Sequence, residues 1–352
     1  MKDLLAKKLL YDAMDWDYHK VDEEKFYIQL FADLKYDNYQ MYSQGMRYIE
    51  SLALWLHNFD KGKDRDILYK FIKQNLIYIS ADQVRSLVES VYCFHITPIL
   101  LKKAKLINGS GMGIVANKEL FNKLIKSTLF LGLSDGSHID IFRRANPHLS
   151  HEQISVYYDL SKPKIEEMIK GLPGDVSHTF FLMDDFSGSG TSFVRKEEDK
   201  WKGKVVKFLD MLNEYGVSVK NVDIHVLLYV STKKAIENIK SCLGEYSKDK
   251  DMRFDAIAIH HIDTENSSFM SADFMQLLKK YYEKFSMVEI EDIHFKKGNH
   301  DKPFLGFNEG ALPLVLYHNT PNNALPIIWF NPRRQDGFRG LFPRVSRHKE
   351  DV

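Results

Sequence analysis

Four short apolar runs, separated by helical patterns and polar turns, constrain the fold of this chain more than any other feature. The runs are Thr128–Leu133, Thr179–Met183, Asp223–Val230 and Phe254–Ile262. Each is almost continuously apolar, as a strand buried on both faces of a parallel sheet must be. Alternating strand and helix patterns imply a parallel sheet with right-handed crossovers. We therefore predict an α/β fold with an open, mostly parallel sheet flanked by helices.

Two amphipathic patterns lie between the later strands, and each precedes a glycine. Trp201–Tyr215 stops at Gly216, and Ser231–Leu243 stops at Gly244. Because glycine is common just past the last helical turn, we predict that both helices end there. Nearer the C-terminus, Leu312–Tyr317 and Leu325–Phe330 predict two further strands joined by a polar loop.

The first hundred residues show helical spacing of apolar residues and little strand-like alternation. The glycine-rich segment Asn108–Gly113 (NGSGMG) follows them, and a flexible connector is a better interpretation of it than a phosphate-binding loop. We predict an all-helical subdomain at residues 1–107. A second domain with a basic C-terminal tail is predicted at residues 108–352.

The composition narrows the classes of function. The chain has 352 residues, a formal net charge of +1, 44% hydrophobic residues and 28% charged residues, as folded soluble proteins do. Cys93 and Cys242 have no metal-like spacing and imply no disulfide framework. The N-terminus lacks the apolar core of a signal peptide. No stretch approaches the roughly 18 uninterrupted apolar residues that span a bilayer. We expect a cytoplasmic protein with no membrane association.

The segment Phe180–Ser192 (FFLMDDFSGSGTS) carries the clearest chemistry. Four apolar residues predict a buried strand, and Asp184 and Asp185 follow where it emerges. Ligands of open α/β sheets bind beyond the carboxyl ends of the strands. The glycines of the following loop allow several amides to converge on a phosphate, near the start of the next helix. The candidate phosphate-binding residues are Ser187, Gly188, Ser189, Gly190, Thr191 and Ser192.

The two aspartates are suited to a different part of a ligand than the loop. Carboxylates repel phosphate, so Asp184 and Asp185 are better used on ribose hydroxyls or on a hydrated Mg²⁺. We predict that they are the catalytic pair. The loop has no lysine, which excludes a Walker A loop, and the acids before it exclude a dinucleotide fingerprint. The alternative interpretation is a strand that ends in a flexible serine–glycine turn.

A second polar turn occurs in Leu131–Arg144 (LGLSDGSHIDIFRR), after an earlier strand. Gly136 permits a tight backbone, Ser137 can cap the helix that follows, and an arginine can add positive charge. An ordinary capped helix start shows the same pattern, but the position one crossover before the acidic strand favours anion binding. The candidate residues are Ser134, Asp135, Gly136, Ser137, Arg143 and Arg144.

The spacing in Phe180–Ser192 resembles the signature of type I phosphoribosyltransferases. With DGSHIDIFRR, HNTPNNALPIIWF and a later LFPR, residues 110–345 resemble the phosphoribosyltransferase-like branch of bacterial conflict and antiviral defence loci (PRTase-CE-like). The resemblance implies a phosphoribosyltransferase-type sheet that binds phosphoribosyl pyrophosphate (PRPP) or a related nucleotide with Mg²⁺, with pyrophosphate at the Ser134–Ser137 turn. It also implies a pentosyl-transferring effector, or toxin, regulated by a protein from the same operon: an ATPase, a nucleotide cyclase or a reverse transcriptase.

One position departs from the family pattern. Purine-salvage members have an acidic residue three positions after the second acid of the pair, where it serves the base, and this chain has Gly188. Because of this departure, an alternative function remains: a catalytically silent module that senses a nucleotide and regulates a partner protein. A scaffold whose helical half mediates assembly is a third possibility.

Two C-terminal features could contact the acceptor or a nucleic acid. Paired asparagine amides in Asn319–Asn323 could read a base edge, although a polar turn is the commoner meaning of NTPNN. The basic tail Asn331–Lys349 interleaves Phe338 and Phe342 and could bind nucleic acid or a polyphosphate. A solvated tail that packs on the domain is the alternative. The candidate residues are Asn319, Asn322, Arg333, Arg334 and Arg344.

Overall fold

The computed structural model describes residues 3–108, 118–170, 173, 176–216, 222–248, 250–263, 269–291, 295–298, 301–332 and 337–345. These residues form two compact units. The first unit is Met1–Ala81 with Thr264–Val352, and the second is Asp82–Asp263. This division differs from the predicted boundary between residues 107 and 108. The C-terminal part of the chain returns to the N-terminal helices, and local periodicity carries no signal for such a return. The predicted connector after Asn108 lies outside the described residues.

The strands of the described residues fall into three sheets. They are Ile77–Ile79 (β1), Thr128–Gly132 (β2), Ile154–Val156 (β3), Thr179–Ser187 (β4), Arg195–Glu197 (β5), Lys200–Lys202 (β6), Val222–Thr232 (β7), Met252–Ile262 (β8) and Leu314–Leu316 (β9). The second unit is built on a five-stranded sheet in the order β3-β2-β4-β7-β8, and every neighbouring pair in it is parallel. The predicted α/β class and its parallel sheet are confirmed.

The helices precede and follow these strands along the chain. They are Asp3–Ala13 (α1), Tyr18–Leu34 (α2), Tyr48–His57 (α3), Lys63–Asn75 (α4), Ala81–Val91 (α5), Thr97–Asn108 (α6), Lys118–Lys126 (α7), Ile139–Ala145 (α8), Lys162–Lys170 (α9), Lys204–Glu214 (α10), Lys233–Tyr246 (α11), Ala272–Lys284 (α12) and Pro326–Trp329 (α13). A π-helical turn, Tyr92–Ile96, joins α5 to α6.

One face of the large sheet and the helices α10 and α11 form the core of the second unit. Apolar residues of four strands pack with one face of each helix, and burying such a side chain contributes about 1.5–3 kcal/mol. The principal members are Leu129, Leu131, Phe180, Leu182, Val226, Leu228, Ala256, Val205, Phe208, Leu212, Ile236 and Ile239. This packing fixes the directions in which β2, β4 and β7 emerge at the carboxyl edge of the sheet.

Two predicted element ends in the second unit are wrong. Strand β4 continues through the acidic pair to Ser187 and does not end at Met183. Helix α11 continues past Gly244 to Tyr246. Glycine within a helix costs about 1 kcal/mol relative to alanine. The ring of Tyr246, which packs edge-on against Trp201 and Phe254, offsets this cost. Helix α10 does end before Gly216, whose φ is 73°.

The C-terminal prediction of two strands is half right. Strand β9 forms within Leu312–Tyr317 and pairs in parallel with β1, a strand inside the largely helical N-terminal region. The predicted strand Leu325–Phe330 is wrong, because its central residues form the short helix α13. Pro326 is the first residue of that helix, and proline has the backbone angle that a first helical position requires.

One helical run in the described residues, Ala81–Ile107, is long and apolar enough to cross a membrane by length and composition. A single run of this kind is weak evidence, because core helices of soluble proteins pass the same test.

Candidate phosphate-binding site

The two polar turns follow neighbouring strands in the middle of the large sheet. Strands β2 and β4 pair directly, and the amide of Leu133, just past β2, donates to the Met183 carbonyl at 2.9 Å. From β2 the chain goes first to β3 on one side and then to β4 on the other side. This reversal is the topological switch point of the sheet, where open α/β sheets bind ligands. The predicted turns Ser134–Ser137 and Ser187–Ser192 therefore begin on the two sides of this point.

Gly136 and Asp185 bring these turns into contact. A Cβ atom placed on Gly136 would lie 2.5 Å from Oδ2 of Asp185, so any larger residue would displace the carboxylate. Gly136 does not have a positive φ. The structural reason for glycine is thus the approach of Asp185, and not the tight backbone that we predicted from the sequence.

Asp184 is buried and bonded on both of its oxygens. Its side chain is 0% exposed, Oδ1 accepts a hydrogen bond from the Ser134 hydroxyl, and Oδ2 pairs with the ammonium of Lys204. Burial raises the pKa of Asp184, while the charge of Lys204 and the Ser134 hydroxyl act in the opposite direction. Asp184 therefore connects the first polar turn to helix α10.

Asp185 is the more open member of the acidic pair. It is partly exposed, and its Oδ1 accepts a 2.8 Å hydrogen bond from the amide of Phe186. Its Oδ2 faces Gly136 in the neighbouring turn. Asp185 is thus the carboxylate of the pair that a ligand at the switch point can reach.

Lys204 is a site residue that our sequence reasoning missed. It is the first residue of α10, and its ammonium lies 5.1 Å from the centre of the Phe193 ring as well as against Asp184. A signal was available in principle: the start of a helix repels positive charge, so a lysine there suggests a carboxylate partner from elsewhere in the fold. The start of α10 could not be placed from the sequence, because we predicted that the helix begins at Trp201.

The glycine–hydroxyl loop is held in a tight turn by its own side chains. The amide of Gly190 donates to Oγ of Ser187 at 3.0 Å, and Ser189 Oγ lies 2.9 Å from Thr191 Oγ1. Gly190 has a φ of 78°, which favours glycine, and a Cβ there would lie 2.7 Å from the Ala235 carbonyl oxygen.

Four amides of this loop lack an acceptor within the protein as described. The N–H groups of Gly188, Ser189, Thr191 and Ser192 donate to no atom of the residues that the structure describes. Gly188 and Ser189 are buried, and Ser192 is exposed. Since buried backbone amides are nearly always paired, amides of this kind are suited to an anionic ligand.

The loop does not lead directly into a helix, as we had predicted. The hairpin of β5 and β6 lies between it and α10. The amides of Lys204 and Val205, at the start of α10, donate to the carbonyls of Ser192 and Phe193, each at 3.0 Å. The first amides of α10 are therefore occupied by carbonyls of Ser192 and Phe193, and the loop itself is the candidate anion site.

The first polar turn also differs in part from the prediction. Ser137 does not cap helix α8, because His138 precedes the helix in a left-handed conformation with a φ of 47°. Ser137 is buried and its carbonyl accepts a 2.6 Å hydrogen bond from the Tyr229 hydroxyl. Oδ1 of Asp135 accepts a 2.5 Å hydrogen bond from the exposed Tyr158. The tyrosines that hold this turn thus come from the 3-10 turn Tyr157–Asp159, which follows β3, and from β7.

The two predicted arginines make contacts away from the turn. Nη2 of Arg143 donates to the Ile154 carbonyl at 3.1 Å, and Arg144 pairs with Asp140 on the same helix at 3.6 Å. Lys204 is the cation that a described contact places beside the acidic pair.

The candidate acceptor residues lie in the first unit. Nδ2 of Asn319 donates to the Val345 carbonyl at 3.0 Å, and Nε of Arg344 donates to the Thr320 carbonyl at 3.0 Å. The Asn322 carbonyl accepts from the Phe307 amide at 2.8 Å. Side-chain hydrogen bonds of Asn319 and Arg344 therefore join the turn to residues 344–345. Arg333 and Arg334 lie outside the described residues.

The aromatic residues of the tail are unable to stack on bases. Phe338 and Phe342 are 1% and 0% exposed, and Phe342 packs among tyrosines of the first unit. These two phenylalanines therefore cannot contribute base stacking to the nucleic-acid or polyphosphate binding predicted for the basic tail, and that binding stays a prediction. Residues 337–345 fit the alternative interpretation, a tail that packs on the domain, because Phe338 and Phe342 are buried.

The acidic pair fits a Mg²⁺ ion that arrives with its ligand rather than an ion held in a cage of side chains. Within the described residues, no group of three or more His, Cys, Asp or Glu side chains could hold a metal. Asp184 is buried and bonded to Ser134 and Lys204, so the more exposed Asp185 is the better candidate to contact the ion. Mg²⁺ is commonly held by one or two carboxylates together with phosphate oxygens and water.

This sheet order, with an acidic pair and a glycine–hydroxyl loop at the switch point, defines a phosphoribosyltransferase-like domain. The family model described as PRTase-CE matches residues 52–344, well over half of the chain, and the chain belongs to that family. The match begins upstream of residue 110, so it includes part of the N-terminal helical region. Comparisons with curated proteins and with solved structures gave no match.

Proposed function

We propose that the chain binds PRPP or a related ribose phosphate with Mg²⁺ and transfers its ribosyl group to a nucleotide or nucleic acid. One observation carries the proposal: the amides of the buried residues Gly188 and Ser189, which have no acceptor among the described residues, lie one strand away from a polar turn that touches Asp185. Membership of the PRTase-CE family supports the same reaction class.

Each part of the site would bind a different part of the ligand. The amides and hydroxyls of Ser187–Ser192 would bind the 5-phosphate. Asp185 would accept hydrogen bonds from the ribose hydroxyls, and the Ser134–Ser137 turn would bind the pyrophosphate. Mg²⁺ would neutralise charge that develops on the leaving pyrophosphate. Asp184, held by Lys204, would position Ser134 rather than contact the ligand.

Catalysis by such a site depends on positioning more than on covalent chemistry. Transfer from PRPP develops positive charge on the ribose ring as the bond from C1 to the pyrophosphate oxygen breaks. A site that holds both ends of the donor fixes C1 relative to the acceptor, and a nearby carboxylate such as Asp185 stabilises the developing charge.

The proposal is tested by pyrophosphate release. Purified protein is incubated with PRPP and Mg²⁺, with and without cellular nucleotides or RNA. We expect release that depends on an acceptor and is lost when Asp185 is replaced by alanine. Release that is equal in the wild type and the variant would exclude the proposed site.

A second candidate function is a catalytically silent module that senses a nucleotide and regulates a partner. Gly188, in place of the acid that serves the base in purine-salvage members, favours this candidate. The same incubations discriminate the two functions. A sensor would show a rise in melting temperature with PRPP or a nucleotide and no release of pyrophosphate.

The biological setting belongs to the same proposal. The resemblance to the conflict-associated branch supports a cytoplasmic effector of antiviral defence, regulated by an ATPase, a nucleotide cyclase or a reverse transcriptase of its operon. Co-expression tests this. The chain alone should slow bacterial growth, and the neighbouring gene product should restore growth. Growth that is equal in both cultures would remove the effector role.

A further inference from the structure

Three consecutive carbonyls of the phosphate loop are bonded from one side by residues outside the loop. The donors come from the end of β7 and from α11, and we call them the carbonyl clamp. The hydrogen bonds are Ser231 Oγ to the Ser187 carbonyl at 3.0 Å, Thr232 Oγ1 to the Gly188 carbonyl at 2.9 Å and Asn238 Nδ2 to the Ser189 carbonyl at 2.8 Å.

The clamp has a consequence for the loop amides. In a trans peptide the carbonyl and the following N–H point in opposite directions. Carbonyls that face β7 and α11 therefore turn the N–H groups of Gly188, Ser189 and Gly190 to the other side. The amide of Gly190 donates to Ser187 Oγ at 3.0 Å, whereas those of Gly188 and Ser189 have no acceptor in the part of the chain that the structure describes.

Asn238 differs from the other two members because its contact lies in the middle of a helix. Thr232 also caps α11, where it accepts from the Ala235 amide at 3.1 Å, and Ser231 is a buried strand residue. Asn238 is a poor helix former compared with alanine, so its place in α11 is explained better by its contact than by the helix.

We propose that Asn238, with Ser231 and Thr232, positions the loop amides for the 5-phosphate of the ligand. This inference rests on the proposed function and adds residues from a third strand and its helix to the site. The clamp positions the loop and does not touch the ligand. It acts on the 5-phosphate end, since the pyrophosphate turn is held by Asp184, Tyr158 and Tyr229 instead.

The test uses two ligands that occupy the two ends of the site. Isothermal titration measures the affinity of the full chain for ribose 5-phosphate and, separately, for magnesium pyrophosphate. Asn238→Ala removes the bond to the Ser189 carbonyl, and Asn238→Asp also places a carboxylate against that carbonyl. Ser241→Ala, at an exposed position of the same helix, is the matched control.

We expect Asn238→Ala to weaken ribose 5-phosphate binding about threefold to tenfold, because one hydrogen bond that positions the loop is lost. Asn238→Asp should weaken it more than about tenfold, because a carboxylate then faces the Ser189 carbonyl. Magnesium pyrophosphate binding should change by less than about twofold, the level of the Ser241→Ala control.

Three results would overturn the inference. If the wild type binds ribose 5-phosphate and both Asn238 variants bind it equally well, the clamp has no positioning role and the proposed function stands. If the variants weaken both ligands together and lower the melting temperature, the role of Asn238 is only structural. If the wild type does not bind ribose 5-phosphate, the inference fails, and if it binds neither ribose 5-phosphate nor magnesium pyrophosphate, the proposed function fails with it.

Discussion

The loop Ser187–Ser192 and the turn Asn319–Asn323 have similar polar compositions but opposite hydrogen-bonding patterns. In the turn, the Asn319 side chain bonds to Thr320 and Val345, so its polar groups satisfy one another. In the loop, outside residues bond the carbonyls and four amides keep no acceptor among the described residues. The difference shows why the loop and not the turn is a candidate binding site: four of its backbone N–H groups have no acceptor among the described residues.

The largest effect is expected when the carboxylate that precedes the loop on β4 and faces Gly136 is removed. Asp185→Ala should lower pyrophosphate release at least about a hundredfold, because a charge-stabilising group beside the reacting carbon is lost. The melting temperature should change little, since Asp185 is partly exposed. Asp210→Ala, on the exposed face of α10, is the control. Equal loss in both variants would remove the special role of Asp185.

Lys204→Met tests whether the buried acid depends on its cation. An unpaired buried carboxylate costs about 3–5 kcal/mol, and the free energy of unfolding should fall by this amount near neutral pH. Urea unfolding of the wild type, Lys204→Met and the exposed control Lys207→Met measures the loss. A Lys204→Met variant as stable as Lys207→Met would show that the pair with Asp184 contributes nothing.

The same variant has a pH dependence with a definite sign. Burial already raises the pKa of Asp184 above 3.8, and loss of Lys204 removes a charge that opposes the rise. A carboxyl group whose pKa is raised on folding destabilises the fold only when it is ionised. The loss of stability therefore grows as the pH rises through the pKa of the folded state. The stability gap between Lys204→Met and the wild type should therefore be larger at pH 8 than at pH 4.

Asn319→Ala tests the other half of the comparison. Two hydrogen bonds of its side chain join the turn to Val345 and a third forms within the turn to Thr320, so the free energy of unfolding should fall by about 1–2 kcal/mol. Ribose 5-phosphate binding should not change. Asn322→Ala is the matched control, because the described hydrogen bond of Asn322 uses its main-chain carbonyl. Reduced transfer with unchanged stability in Asn319→Ala would instead support base reading.

Glu197→Gln should have the smallest effect. Hydrogen bonds from Lys202 and Arg195 lower the pKa of Glu197 from 4.5 to about 2 on the hairpin that follows the loop. A carboxyl group whose pKa is lowered on folding stabilises the fold at pH values above its ordinary pKa. This stabilisation is lost as the pH falls toward the pKa of the folded state. The difference in unfolding free energy should be under about 1 kcal/mol at pH 7 and should shrink below pH ~4.5. A difference that grows in acid would contradict this assignment.

The sequence predicted the parts of the site that depend on local pattern. Apolar runs located β2, β4, β7 and β8, and the acidic pair with its loop was placed at the correct edge of the sheet. Lys204 and Asn238 were missed because their roles depend on which elements pack together. The return of the C-terminal segment to β1 was missed for the same reason, since pairing between distant strands leaves no local signal.

We propose that the amides of the loop Ser187–Ser192 bind the phosphate of a sugar phosphate. A ¹H–¹⁵N NMR titration of the full chain with ribose 5-phosphate tests it most directly, with the assigned amides of Gly188, Ser189 and Asn319 as reporters. We expect saturable downfield shifts at Gly188 and Ser189 and none at Asn319. Saturable binding that leaves both loop amides unshifted would contradict the account.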